Sequence, residues 1–392
     1  MVKTLKIKEF AEVITGGTPS TSNPEFWDPG VIPWLNSGEL NQRTVRTTKN
    51  YISQKGLDSC SARVMPVDSV LIALTGTTTG VTAYLEIEAC ANQSVTGILP
   101  SKVHNPKYLF HYLSSIRKKI LDDSYGGAQK HISQGYVREL KVPLPPLKLQ
   151  NEIADILEKA DALRKKDKQL IQKYEELSDS MFFEMFGDPV RNEKGWDKIS
   201  LKDICENIQI GPFGTQLHVE DYITGGIPLI NPTHIVKQSI VANENLTISK
   251  EKHSQLKNYH LKVDDIIMGR RGEMGRCAII SDREEGWLCG TGSLFLRLKY
   301  KDGALFLMHQ LTRNSMRKQI ESVAKGITMM NLNTKVVSDL KVINPPQNLL
   351  VKYSKNVENA LRLKSYSSQS LLQSSLLYDA LLYKAFNGNL IS

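Results

Sequence analysis

Between Leu149 and Met181 the chain repeats a spacing of four and three through Leu149, Ile153, Ile156, Ala160, Leu163, Asp167, Leu170, Tyr174, Leu177 and Met181. All but Asp167 are apolar or aromatic. The series is an a/d seam sustained over more than four heptads, which predicts one long helix with a single apolar stripe. Pro145-Pro146 suits its start, and Gly187 with Pro189 its stop. A second stripe follows Pro345-Pro346, through Leu349, Tyr353, Ala360, Leu363, Leu377 and Leu381, with a more polar centre at Ser367 and Ser370. Each helix of about 36 residues would be roughly 55 Å long at 1.5 Å per residue. Two stripes of equal length in one chain predict helix pairing or subunit docking through Ile153, Ile156, Leu163, Leu170, Leu363, Leu377 and Leu381. Asp167, polar at a seam position, is expected to set the register.

Ahead of each stripe the pattern changes. Short β-rich runs at 69–74, 82–85, 265–268 and 294–298 are punctuated by glycine clusters at Gly76/Gly80 and Gly269/Gly272/Gly275. One helical stretch per half fits 108–121 and 305–322. This reads as an α/β domain around a twisted sheet.

The chain is in fact written twice. Ile32-Pro33-Trp34-Leu35-Asn36 returns as Ile227-Pro228-Leu229-Ile230-Asn231, 195 positions on. Val67-Asp68 returns as Val263-Asp264, 196 positions on, and Leu140-Lys141-Val142 as Leu340-Lys341-Val342, 200 positions on. A period this long means a duplicated pair of domains, able to present two similar surfaces as a dimer would. The expected organisation is a recognition-type domain over 1–146, a helix over 147–186, a second domain over 187–344 and a second helix over 345–392. The fold class is α/β (α+β), with the two helices pairing as an antiparallel coiled coil and a pseudo-two-fold internal duplication.

Charge adds a partner class. The 392 residues carry a formal net charge of +9, which suits a polyanion whose neutralised phosphates release counterions. The five cysteines are odd in number and lack CxxC spacing, so neither a disulfide framework nor a zinc site is expected. No apolar window reaches membrane-spanning length, and the N-terminus lacks the apolar core of a signal peptide. Catalytic motifs are missing as well. Asn344-Pro345-Pro346-Gln347 has glutamine where an adenine methyltransferase needs a ring to stack on the extruded base. There is no Walker loop and no HExxH.

Residues 126–150, Gly-Gly-Ala-Gln-Lys-His-Ile-Ser-Gln-Gly-Tyr-Val-Arg-Glu-Leu-Lys-Val-Pro-Leu-Pro-Pro-Leu-Lys-Leu-Gln, resemble the junction between a target recognition domain and a spacer helix in specificity subunits of Type I restriction–modification enzymes. Gln150 matches the family's glutamine at the helix start; Leu149 stands where glutamate is usual. Asn92-Gln93 resembles the family's recurring Asn-Gln pair, while the second half has Gly290-Thr291 there. The resemblance covers essentially the whole chain. It implies a non-catalytic, cytoplasmic, nucleoid-associated subunit that reads a bipartite target in double-stranded DNA. It implies docking of two methyltransferase subunits and of motor/endonuclease subunits, with the paired helices as a ruler between half-sites about 34–36 Å apart. No cofactor is expected in this chain; S-adenosylmethionine, ATP and Mg2+ would belong to the partners. The alternative classes are a protein-binding scaffold, which would show little salt dependence toward DNA, and a stand-alone enzyme, which would need a convergent acid/base or metal constellation.

Base reading needs paired donors and acceptors. The richest loop is 269–276, with Arg270, Arg271 and Arg276 among glycines; the alternative there is a tight turn with solvated arginines. Its uncharged counterpart carries Thr77, Thr78 and Thr79. Asn92 and Gln93, then Gln129, Lys130 and His131, and Lys325, Thr328 and Asn331 form further candidates. Asn36 and Asn231, each following an Ile-Pro strand, complete the set.

Overall fold

The computed structural model describes residues 3–127, 130–272, 274–324 and 331–387. It divides into two compact units: unit 1 comprises 1–169 with 367–392, and unit 2 comprises 170–366.

In unit 1 a five-stranded sheet orders Val13–Thr15, Val95–Ile98, Val70–Ala73, Thr82–Leu85 and Thr44–Val45, antiparallel except for the last pair. A small second sheet joins Asn50–Ile52, Ile32–Leu35 and Cys90–Ala91. Unit 2 repeats the plan. Cys205–Ile210, Ser293–Leu298, Ile266–Gly269 and Cys277–Ile279 form an antiparallel sheet. A second sheet holds Tyr222–Ile223, Thr247–Ile248, Ile227–Ile230 and Leu288–Cys289. The β-rich runs read from the sequence are central strands, and Val70–Ala73 and Ile266–Gly269 are buried throughout. The expected helical stretches are each broken once: Pro106–Ser115 and Arg117–Asp122 meet at Ile116, and Ala304–Thr312 and Asn314–Ala324 at Arg313.

The two long helices run Leu147–Phe186 and Gln347–Phe386, each 40 residues and about 60 Å at 1.5 Å per residue. Gly187 ends the first in a left-handed conformation (φ 75°) that a residue with a Cβ disfavours. Each unit holds one end of both helices, and in each the helices pair antiparallel. In unit 1 Asp167 accepts hydrogen bonds from Ser370 Oγ (3.0 Å) and Ser374 Oγ (2.9 Å). In unit 2 Lys364 pairs with Glu175 at 2.8 Å, and the Phe186 and Tyr353 rings lie 5.2 Å apart.

The seam differs from the expected one at several leucines. Ile153, Ala160 and Asp167 are buried as expected, but Leu163, Leu363 and Leu377 are 46%, 43% and 50% exposed. Ile156, Leu170 and Leu381 are half-buried. Between the retained positions the chain buries Gln150 and Leu157, with Arg164 and Ile171 half-buried, one residue along from the leucines that periodicity selects. Adjacent helix residues are only about 100° apart, so a leucine and its neighbour both flank an interface and local contacts choose between them. Here the polar neighbours find partners. The Arg164 guanidinium lies 4.3 Å from the centroid of the Tyr378 ring and bonds Asp161.

Recognition domain and helix end are joined the same way in both units. Phe186 packs edge-on to Phe306 at 4.6 Å in unit 2; Phe386 packs on Tyr108 at 5.4 Å and Tyr112 at 5.1 Å in unit 1. Buried Gln150 bonds the Val103 and Pro145 carbonyls and accepts from the Asn105 N–H, tying the first long helix to the turn before Pro106–Ser115.

Candidate DNA interface

In unit 1 the loop 75–80 joins the strands Val70–Ala73 and Thr82–Leu85. Two of its corners, Gly76 (φ 72°) and Gly80 (φ 73°), are left-handed. Residues 125–127 and 130–131 fold onto it. Gly76 N–H and Thr79 Oγ1 both donate to the Lys130 carbonyl, at 3.0 and 2.8 Å, and Ile132 N–H donates to Leu74. Tyr125 and His131 stack edge to face at 4.9 Å. Loop and segment thus form one surface. Thr79 is buried and its hydroxyl is engaged internally; Thr78 bonds the Thr75 carbonyl. Thr77 and the Lys130 side chain are exposed, and His131 is half-exposed. Gln129 lies outside the described residues.

Beside this surface Asn36 and Asn92 shape their own turns. Asn36 Oδ1 caps Gly38 N–H at 2.9 Å, and Asn92 Oδ1 accepts from Ser94 N–H at 3.1 Å. Gln93 is exposed and accepts from Thr18 Oγ1.

In unit 2 the loop 269–276 stands at the same place, with Gly272 (φ 69°) and Gly275 (φ 79°) as the corners. Leu332 N–H donates to the Arg270 carbonyl as Ile132 does to Leu74. The side chains differ. Arg270, at the position of Leu74, is 2% exposed; its Nε bonds the Thr291 carbonyl at 3.1 Å and Nη1 bonds Asn331 Oδ1 at 2.9 Å. Burial, then the neighbouring Arg271 charge, pulls the Arg270 pKa below the usual arginine range. Arg270 is therefore a bracket between three chain segments. Arg271 is exposed at the tip, Arg276 is half-exposed, and Met274 is buried and pins the loop to the core. Lys325 and Thr328 lie outside the described residues.

Asn231 and the Gly290-Thr291-Gly292 turn explain why the second half lacks the Asn-Gln pair. Asn231 Oδ1 accepts from Gly292 N–H at 3.4 Å, the service that Asn92 gives Ser94 in unit 1. A Cβ at Gly290 would stand 2.3 Å from Asn231 Oδ1, so a side chain there is excluded. The cap has moved to the neighbouring strand end.

The structure thus brings Thr77–Thr79, Lys130 and His131 together in unit 1, and Arg270, Arg271 and Asn331 together in unit 2. Sequence reasoning passed over Arg117 and Arg317, which pack on the second glycine corner of each loop. Their recurrence 200 positions apart was the available signal. Among the described residues, no group of three His, Cys, Asp or Glu side chains could hold a metal ion, and no helix is long and apolar enough to cross a membrane.

Comparison with known proteins bears on this arrangement. The Type I restriction modification DNA specificity domain matches twice, over residues 1–174 and 193–373. The MjaIX specificity subunit of Methanocaldococcus jannaschii is 25% identical over 413 aligned residues, covering 98% of this chain and 92% of the relative. The EcoR124I/EcoR124II specificity subunit of Escherichia coli is 28% identical over 153 residues, 38% of each chain. Among solved structures, the S subunit of a Type I system from M. genitalium superposes with a TM-score of 0.62 at 17% identity, over 98% of this chain and 96% of that one. A chain from a study of complex assembly and conformational transition in the Type I R-M system gives 0.59 at 16% identity, over 99% and 98%. The doubled family match follows the doubled fold, and the chain belongs to the Type I restriction–modification specificity subunits, which bind DNA sequence-specifically through two recognition domains.

Proposed function

We propose that each unit reads one half of a bipartite DNA target with the loop cluster described above. In unit 2 the reading side chains are Arg271 and Arg276, held out by the Arg270–Asn331 bracket. In unit 1 they are Thr77, Lys130, His131 and Gln93. The observation that carries this reading is a shared loop frame in both units, held by the Ala73–Val81 and Gly269–Arg276 bonds and by the Ile132 and Leu332 N–H groups, with different side chains upon it. A constant frame delivers an extended surface to the groove, and the variable side chains decide which bases fit. Arginine prefers guanine, so the unit 2 loop is suited to a guanine-containing half-site. The net charge of +9 favours the phosphate backbone.

The same reading assigns the long helices a docking role for methyltransferase and motor/endonuclease subunits. It is supported by apolar side chains left in solvent on the helices. Unit 1 exposes Leu163, Leu372, Leu376 and Leu377; unit 2 exposes Leu177, Phe183, Leu361 and Leu363. Exposed leucines at this density on a helix pair suit a subunit interface.

The deciding experiment maps N6-methyladenine in host DNA with the gene present and deleted. Loss of one split motif on deletion is expected. Replacing 1–146 with the corresponding segment of a relative should then change one half of the motif only. An unchanged methylation pattern would favour a protein-binding scaffold.

A further inference from the structure

Arg117 and Arg317 stand 200 positions apart, in register with the duplication. Each lays its stem on the second left-handed glycine of its loop. A Cβ at Gly80 would lie 3.1 Å from Ile120 Cγ2 and 3.3 Å from Arg117 Cγ, and one at Gly275 would lie 3.0 Å from Arg317 Cγ. Each has its Nε shielded from solvent without an acceptor, and neither guanidinium forms a hydrogen bond or ion pair with a described residue. Arg43 and Arg313 also leave Nε without an acceptor, but each is engaged through another nitrogen, Arg43 with Tyr378 and Arg313 with Asp179.

A half-buried guanidinium without acceptors pays desolvation with no compensating bond. One such residue could be an accident of packing. The same deficit at the same place in two units, beside loops whose other side chains differ, requires a common cause. In unit 2 the surroundings name its chemistry. Arg317 lines an open cleft of about 360 Å³ with Lys237, Gln238 and Thr312, and no acidic residue is among its described lining residues. The Lys237 and Arg317 charges suit the cleft to an anion.

We propose that Arg117 and Arg317 are matched phosphate anchors, each holding a backbone phosphate of the half-site that its own loop reads. This rests on the DNA-reading function proposed above. Phosphate contacts fix register and carry no sequence information, whereas base contacts specify. That division explains why the two arginines are the same while Thr77 and Arg271, at the loop tips, are not.

The test measures binding of the full chain to a mixed-sequence DNA duplex across a salt series, for the wild type and for Arg117→Ala, Arg317→Ala and the double variant. Each single change should weaken affinity roughly five-fold near physiological salt and reduce the slope of log K against log salt by about 0.9. The double variant should lose about twice that slope. Arg117→Lys and Arg317→Lys should keep the slope, since a point charge still meets a phosphate. The methylated motif should stay the same in both halves. Slopes and affinities equal to wild type would overturn the proposal. So would a changed base preference at one position, which marks a base contact, or a loss shared by the lysine variants with a lowered melting temperature, which marks a packing role. A wild-type chain without salt-dependent DNA binding would overturn the DNA-reading function along with it.

Discussion

The loops 75–80 and 269–276 hang from equivalent strands, turn on equivalent glycines and receive the same backbone bond from Ile132 or Leu332. They differ in how they are fastened. Leu74 holds the first by burial in an apolar core, and Thr79 adds two bonds to carbonyls. Arg270 holds the second by spanning Thr291 and Asn331. A leucine asks only for apolar neighbours, so unit 1 leaves its loop tip neutral. An arginine demands acceptors, and unit 2 supplies them from two segments, which ties the loop tip to the 290–292 turn and to 331. Duplication preserved the frame; the fastening and the surface chemistry diverged.

The largest expected effect tests whether the shared frame is anchored equally. Phe186→Ala should destabilise unit 2 by about 3–5 kcal/mol, because the ring is fully buried among Phe182, Phe306 and Tyr353. Phe386→Ala should cost clearly less, since that ring is half-buried on Tyr108 and Tyr112. Equal losses by differential scanning calorimetry would remove this asymmetry.

Next in size is the fastening itself. Arg270→Ala leaves the Asn331 carboxamide oxygen and the Thr291 carbonyl without their donor, and should cost about 2–4 kcal/mol of folding stability. Arg270→Leu, which copies Leu74, should recover part of that loss through packing but not the order of 331. Hydrogen exchange at Leu332 N–H reads this out; full protection in both variants would mean the bracket is dispensable.

Acid should strike both units through buried histidines. Burial lowers His104 in unit 1 and His309 in unit 2 to about 4. Below the ordinary value near 6.5 the unfolded chain binds protons that the folded chain refuses, so stability falls as pH drops from about 6.5 toward 4. Each contributes at most about 3 kcal/mol, at about 1.4 kcal/mol per pKa unit. His309→Gln should flatten the dependence in unit 2 only. A melting temperature unchanged between pH 7 and pH 5 would contradict both assignments.

The smallest effects belong to the tips. Arg271→Ala should weaken specific binding by about 1–3 kcal/mol and relax one position of one half-site. Thr77→Ala should act on the other half-site and by less, as a hydroxyl offers one contact where a guanidinium offers two. Methylation mapping of both variants checks the division; a change in the same half from each would break it.

Much of this was legible in the sequence. The heptad spacing, the Pro-Pro starts and the Gly187 stop predict the first long helix to its observed ends, because backbone chemistry at helix termini is local. The duplication shows in short matches at offsets of 195 to 200, and the glycine corners show as glycines. What the chain could not display was the choice among near-equivalent faces and partners. Leu163 and Leu377 satisfy the period yet are exposed, because their neighbours Arg164 and Tyr378 found each other across the helix pair. Arg270 reads as a surface arginine and is a buried bracket, because its acceptors at Thr291 and Asn331 lie 21 and 61 residues away. Arg117 and Arg317 read as unremarkable helix arginines until the loops fold against them. Periodicity and turn chemistry are local and survive in one dimension; burial and the partner of a charge depend on which distant segments meet, and tertiary structure alone decided those.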